Sequence, residues 1–434
     1  MTRTPTARRT TLARSRTPLI AFLAANVVSI SGTRISAIAI PWFVLTTTGS
    51  ATKTGLVVVF EMTPLVVMKA LAGPLIDRVG PRRVSVTADA ASAVLVAMVP
   101  LLHWLDRLSF PVLLALVALA GAARGPSDGA KGTLVPDVAE TAGVAFERVT
   151  GLEGSTDRTA SIIGPALAGV IIAAMGAANA LLLDAASFAV CAVLIAVWGP
   201  VRHLPEAGED RDGDASSYWR RLRTGWDYLI HEPLMRSISA MICVTNLLDT
   251  AYMSVLLPVW IKDHGYGTTQ IGLVGSAFGL TATGRALLAA LLGDRLPRRI
   301  TYLVGFTLCG APRYVAMAFG APIWLLVGVC AVGGFGAGFI NPILSAIYIS
   351  RVPRPLLGRV NSLAESLSWA GMPIGGVVAG FAIAGIGLAP ALLVAGGVYL
   401  VATTVPGFLP QWKQMDARAV PSATAPPEHT PVPG

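Results

Sequence analysis

Charge is what this chain has little of: Asp, Glu, Lys and Arg make up 13% of its 434 residues, about half the ~25% of an ordinary soluble domain. Set against 54% hydrophobic residues and a mean hydropathy of +0.66, that shortage excludes a soluble globular enzyme. Cysteine is also scarce. Cys191, Cys243, Cys309 and Cys330 lie inside apolar segments and no two form a CxxC pair, so neither a disulfide framework nor a zinc site is indicated. His103, His203, His231, His264 and His429 are scattered outside span centres and no HExxH occurs, so no metal site, cofactor or hydrolytic centre is expected. The chain also lacks a GxxxxGK[ST] loop, which argues against ATP hydrolysis within this polypeptide.

Long apolar runs are what is present. Breakers divide them into spans near 18–46, 53–76, 84–104, 109–130, 152–175 and 179–199, then near 234–261, 268–292, 300–319, 322–348, 359–385 and 388–409. A span takes about 20 apolar residues, so twelve need roughly 240 and leave enough for short loops and tails. The expected fold is an all-α membrane protein with twelve transmembrane helices in two six-helix bundles. The expected boundaries are a tail at 1–17, bundles at 18–200 and 234–410, a linker at 201–233 and a disordered tail, rich in Pro, Ala and Thr, at 411–434. The linker is acidic from Glu206 to Asp214, then basic and aromatic at Trp219-Arg220-Arg221-Leu222-Arg223, and reads as an amphipathic helix on the membrane surface. Arg3, Arg8, Arg9, Arg14 and Arg16 precede the run Leu19 to Leu45, which is too long for a signal-peptide core and reads as an uncleaved first span.

Orientation follows from the basic residues. Arg78, Arg82, Arg83, Lys131, Arg148, Arg295, Arg298, Arg299, Arg351, Arg354 and Arg359 alternate with loops holding only Lys53, Arg107 and Lys262. Both termini are therefore expected in the cytoplasm of a multi-pass cell-membrane protein. The same connections account for the net charge of +9, which leaves no case for a nucleic-acid partner.

The chain also repeats itself. Gly73-Pro74-Leu75-Ile76-Asp77-Arg78-Val79-Gly80-Pro81-Arg82-Arg83 returns as Gly293-Asp294-Arg295-Leu296-Pro297-Arg298-Arg299, with Asp294 falling 217 positions after Asp77 (294 − 77). Val135-Pro136 followed by Arg148-Val149-Thr150-Gly151-Leu152 is echoed by Val352-Pro353 followed by Arg359-Val360-Asn361-Ser362-Leu363. Two blocks in register mark an internal duplication, the organisation of secondary transporters whose halves move about a midplane site.

Asp77-Arg78-x-Gly80-x-Arg82-Arg83 resembles the signature loop between spans 2 and 3 of the major facilitator superfamily, and the resemblance covers all the spans. Gly164-Pro165-Ala166-Leu167-Ala168-Gly169 is similar to that family's antiporter motif, usually Gly-Pro-x-x-Gly-Gly, with Ala168 replacing a glycine. Gly371-Met372-Pro373-Ile374-Gly375-Gly376 is a partial echo in span 11. With Pro41-Trp42-Phe43-Val44-Leu45, these segments resemble the drug and metabolite exporter branch that includes macrolide and siderophore exporters. The resemblance implies a conformational-switch loop at Asp77, Arg78, Gly80, Arg82 and Arg83, with Asp294 and Arg295 as its second copy. It also implies a conformational role for Gly164, Pro165 and Gly169, beside the close packing and kinking those residue types provide. The family's mid-span arginine motif has no clean match, because Arg124, among Gly121, Gly125 and Pro126, reads as lying near the cytoplasmic end of span 4.

Ionisable residues inside spans cost about 2.5–3.5 kcal/mol on insertion scales and are functional candidates. Arg34 and Glu61 lie 15 and 12 residues from the turn at Gly49 on antiparallel neighbours, so their depths differ by about 5 Å and they are expected to neutralise each other. Glu61 is then a proton carrier, the pair a contact for a charged substrate, or both a fixed structural ion pair. In the second half Asn246, Asp249 and Tyr252 form a polar stripe expected to face a cavity, with Asp249 a second candidate carrier. Lys69 and Arg285, eight and nine positions before the hairpin aspartates, are expected to snorkel or pair. Arg313, Asp184, Asp157, Arg158 and Glu365 also lie in or near spans; any of them could line the pathway, with structural pairing the favoured reading.

The function expected is that of a monomeric, non-enzymatic secondary exporter in the lipid bilayer, moving a small organic compound outward by proton antiport with alternating access. A drug, an antibiotic and a metabolite are all open as substrate. An importer or symporter on the same scaffold, or a non-transporting receptor, is the alternative.

Overall fold

The computed structural model describes residues 16–200, 223, 226–292, 298–340, 343, 344, 347, 351, 352 and 357–415. Asp294, Arg295, the linker residues 201–222 and the side chain of Glu365 lie outside the described residues.

The first half is built from α1 (Thr17–Thr48), α2 (Ala51–Val79), α3 (Pro81–Trp104), α4 (Phe110–Ala142), α5 (Phe146–Met175) and α6 (Ala177–Trp198). The second comprises α7 (Pro233–Asp263), α8 (Thr268–Leu292), α9 in two pieces (Arg298–Cys309 and Ala311–Ala318) and α10 (Ile323–Ala337). It ends with α11, also in two pieces (Leu357–Trp369 and Met372–Ile386), and α12 (Leu388–Thr404). Among the described residues nine helices are long and apolar enough to cross a membrane.

Local chemistry sets the ends. Gly49 closes α1 at φ +66, a conformation that costs a side-chain-bearing residue more. Ser50 then caps α2 by accepting from the Lys53 amide at 3.3 Å. Pro81 opens α3 at a position where a missing N–H goes unneeded. Inside α7, residues Tyr252–Leu256 form a π-helical turn, a wide turn that shifts the azimuth of the residues beside it.

The halves share one packing plan. In the first, α1 packs on α5 and α6, α2 on α4, and α3 on α4 and α6; in the second, α7 packs on α11 and α12, α8 on α10, and α9 on α10 and α12. The halves meet along α5 with α8 and α2 with α11. Apolar side chains such as Leu71, Val94 and Phe381 point outward and are exposed, as lipid-facing positions should be.

Three boundaries differ from the sequence reading, the first being the start of α5 at Phe146, which puts Arg148 inside the helix and not in a connection. Span 4 does not end near residue 130, because α4 continues to Ala142. Lys131 is therefore a buried helical residue and not a loop charge, and Arg124 lies near the middle of its helix. The polar residues of this stretch are satisfied inside the bundle, Ser127 by Asp89 of α3 and Asp128 by Arg124 one turn back. Residues 411–415 belong to a short 3-10 turn, Pro410–Met415, in which Trp412 is fully buried and donates to Ser237 Oγ at 2.8 Å.

Candidate functional site

A cavity of about 570 Å³ lies between the halves, walled by Arg34, Asp157, Arg158 and Ser161 from one side and Asp249, Tyr252 and Arg313 from the other. Arg34 does not pair with Glu61. Its Nη2 donates to Ser161 Oγ at 2.9 Å and lies 3.7 Å from Asp157 Oδ1, both on α5. Gly164 makes room for it, since a Cβ there would come within 2.8 Å of Arg34 Cγ. The rise per residue fixes the depth of a side chain but not its azimuth, and Arg34 and Glu61 turn toward different neighbours.

Asp249 is paired with Arg313, whose guanidinium also lies 4.1 Å from the Tyr252 ring centroid and 5.1 Å from that of Tyr314. Stacking on rings supports a cation that has little water around it. Both line the cavity, but the Arg313 side chain is 7% exposed and that of Asp249 36%, so the carboxylate is the more accessible member. Of the expected stripe, Asp249 and Tyr252 reach the cavity wall, whereas Asn246 donates to the Ser368 carbonyl at 3.0 Å and holds α7 to α11. Arg313, for which the sequence leaves pathway lining and structural pairing both open, does both here. Its signal in sequence is its place just after Gly310 and Pro312, at the break in α9.

Glu61 occupies a second site. It lines a small cavity of about 30 Å³ within the first half, together with Ser36, Ser92, Arg124 and Asp184. Ser36 donates to Asp184 Oδ2, and Arg124 Nε lies 3.6 Å from Asp128. A third cluster, whose members nothing in their spacing groups, joins α1, α3 and α4. Lys131 Nζ lies 3.1 Å from Asp89 Oδ2, Ser127 donates to Asp89 Oδ1 at 2.6 Å, and Lys131 donates to Ser29 at 3.3 Å. Lys69 and Arg285 meet aromatic rings, Lys69 at 4.7 Å from Trp369 and Arg285 at 3.9 Å from Phe339.

The half–half seams are glycine contacts. A Cβ on Gly169 would come within 2.5 Å of the Thr268 carbonyl, and one on Gly272 within 2.4 Å of the Pro165 carbonyl, so α5 and α8 touch backbone to backbone. Gly55 and Gly376 do the same for α2 and α11, where a Cβ on Gly55 would lie 2.1 Å from the Gly376 carbonyl. The segment with Gly164, Pro165 and Gly169 and its echo with Gly375 and Gly376 therefore lie on the two seams. Gly272, Gly275 and Gly279, their α8 counterparts, were missed, although Gly275-x-x-x-Gly279 is a small-residue spacing visible in sequence.

One end of the molecule is fastened. Lys262 Nζ donates to the Leu45 carbonyl at 2.8 Å, Thr268 Oγ1 to the Gly169 carbonyl at 2.9 Å and Thr52 Oγ1 to the Gly380 carbonyl at 3.3 Å, each joining one half to the other. All lie at the end opposite the start of α1. At the α1 start, Asp77 and Arg78 are exposed and no hydrogen bond or ion pair joins them to another described residue. Gly80 turns the α2–α3 corner at φ +92. Arg82 caps the end of α6, donating from Nε to the Ile195 carbonyl at 3.2 Å, while Arg83 is exposed. Arg299, 217 positions after Arg82 (299 − 82), donates to the Gly407 carbonyl beyond α12 in the same manner.

The family model described as Major Facilitator Superfamily matches residues 22–269 and 239–431. The chain is 30% identical over 410 residues to the multidrug efflux pump Tap of Mycolicibacterium fortuitum, covering 94% of this chain and 99% of that one. It is 21% identical over 403 residues to macrolide efflux protein A of Streptococcus pyogenes, covering 91% and 96%. Among solved structures, that of the nucleoside transporter NupG superposes with a TM-score of 0.69 at 14% identity, covering 92% of this chain and 98% of that one.

Proposed function

The chain belongs to the major facilitator superfamily, and on that premise we propose that it exports small organic compounds of the drug class from the cytoplasm by proton antiport with alternating access. The observation that carries this reading is the central cavity, about 570 Å³ and walled by charged and aromatic side chains of both halves. Its volume suits a drug-sized molecule, and its mix of apolar surface with a few polar groups suits an amphipathic one. The name carried by the similar mycobacterial protein, multidrug efflux pump, supports outward drug transport.

Alternating access is supported by the asymmetry between the ends. The cross-half bonds of Lys262, Thr268 and Thr52 fasten one mouth, while the α5 residues toward the other, Gly151 to Ser155 and Asp157 to Thr159, are largely exposed. With the termini in the cytoplasm, this is a state open inward, ready to load an export substrate. The Asp77 hairpin lies at that open mouth. Its role as a switch fits a carboxylate that finds partners only when the mouth shuts, where helix N-termini and arginines converge.

The test is flux in inverted membrane vesicles with a panel of dyes and antibiotics. Uptake that rises when the lumen is acidified and collapses with a protonophore supports the reading; uptake indifferent to the gradient rejects antiport. Accumulation driven by acid outside the inverted vesicle identifies a symporter running the other way.

A further inference from the structure

We propose that Glu61 and Asp184 share one proton across a water-sized site in the first half, and that this site, separate from the substrate cavity, supplies the proton exchanged for substrate. The proposal rests on the antiport reading above and adds to it the location of the proton. Both carboxyl groups line the same enclosed cavity, Glu61 from α2 and Asp184 from α6. The charged groups that act on Glu61 are Arg124 and Asp184, and Arg124 acts on Asp184 as well; Asp184 also accepts from Ser36 and Ser187, and Arg124 is itself 3.6 Å from Asp128. With both carboxylates ionised the cluster holds more negative than positive charge, and a buried excess charge is expensive. One shared proton removes it.

Three further observations point to a built site. The cavity is about 30 Å³, enough for a water, which needs polar partners. Ser92 Oγ, on a residue 1% exposed, lines it and has no hydrogen-bond partner within the protein. Glycines stand where helices must approach the two acidic residues: a Cβ on Gly121 would come within 2.1 Å of the Glu61 carbonyl, and one on Gly32 within 2.6 Å of Asp184 Oδ1. A bridging water between Ser92 and the carboxyls lets the proton pass between oxygens. On uptake one O–H bond forms on a carboxyl oxygen, on release the proton returns to water, and no other bond changes.

Helix α1 links this site to the substrate cavity. Arg34 reaches the cavity and α5, while Ser36 donates to Asp184. Two positions are about 200° apart on a helix, so α1 is a shared wall with one face on each site. A rotation or shift of α1 that alters the Arg34 contacts also alters the Ser36–Asp184 hydrogen bond.

The test uses the full-length protein in liposomes. Infrared difference spectra on acidification are expected to show a protonated-carboxyl band in the wild type. That band is expected to vanish in Glu61→Gln and in Asp184→Asn, and the double variant is expected to lose no more than either single one. Ser92→Ala, which keeps both carboxyls, is expected to shift the band. Gradient-driven transport in either single carboxyl variant is expected to fall roughly 5- to 150-fold, the usual span of coupling between sites, while substrate–substrate exchange persists and shows that the variant is folded. An unchanged band in both variants, losses that simply add, or gradient-driven transport that survives loss of the band would each overturn the proposal. Failure of the antiport reading is distinct: the wild type then shows no gradient-driven transport, while its band still reports whether the pair binds a proton.

Discussion

Lys131 and Asp89 form a buried ion pair in the first half that is expensive to break. Both are buried, at 7% and 0% side-chain exposure, and Asp89 also accepts from Ser127. Removing one partner of such a pair strands a charge, at about 3–5 kcal/mol. Lys131→Met is expected to lower the unfolding midpoint sharply, and Lys131→Met with Asp89→Leu to recover much of the loss, read by thermal unfolding in detergent. The Asp249–Arg313 pair should behave asymmetrically, because both line the cavity but Asp249 is much the more exposed. Asp249→Leu leaves a buried guanidinium uncompensated, so it is expected to destabilise more than Arg313→Met, whose remaining carboxylate can be hydrated. None of these pairings was legible in the chain. Asp249, Glu61 and Arg34 stood out because charge is rare within apolar runs, but partner choice depends on which way each helix faces. Lys131 was hidden for a different reason: a span of ordinary length ends near residue 130, so a lysine just past it reads as a connecting charge.

At the scale of elements, the duplication made most of the fold readable. An offset of 217 positions correctly relates Arg82 to Arg299, each capping the last helix region of its own half. The interruption of α9 is marked in sequence by Gly310 and Pro312, since proline removes a backbone donor and clashes with the turn before it. What the pattern could not give is the partner that requires the glycine: a Cβ on Gly310 would come within 2.0 Å of Tyr399 Cε1, and that neighbour is distant in sequence. The glycine seams permit a direct prediction. Gly272→Val drives a side chain into the Pro165 carbonyl, at an overpacking cost of about 1–3 kcal/mol. It is expected to push α8 from α5 and lengthen the distance between spin labels at Thr47→Cys and Asp263→Cys, across the fastened end. Gly328→Val, with nothing within 4 Å, is expected to leave that distance unchanged.

For the whole molecule, the alternating-access reading proposed above makes the two ends opposite arms of one equilibrium. The Lys262–Leu45 bond holds one mouth shut in the state described, and a hydrogen bond from a charged group is worth about 1.5–3 kcal/mol. Losing it in Lys262→Met is expected to shift the ratio of the two states by roughly tenfold or more toward the form with that mouth open. Asp77 makes no bond to another described residue in this state, so Asp77→Asn can only weaken the alternative. It is expected to favour the inward-open form and to lower drug resistance in an efflux-deficient host without reducing the amount of protein in the membrane. The Thr47–Asp263 label distance is therefore expected to lengthen in Lys262→Met, to narrow toward its shorter population in Asp77→Asn, and to return close to wild type in the double variant. A change in the same direction for both substitutions would mean that the hairpin and the Lys262 clasp do not act on one equilibrium, and the rocking reading would fail.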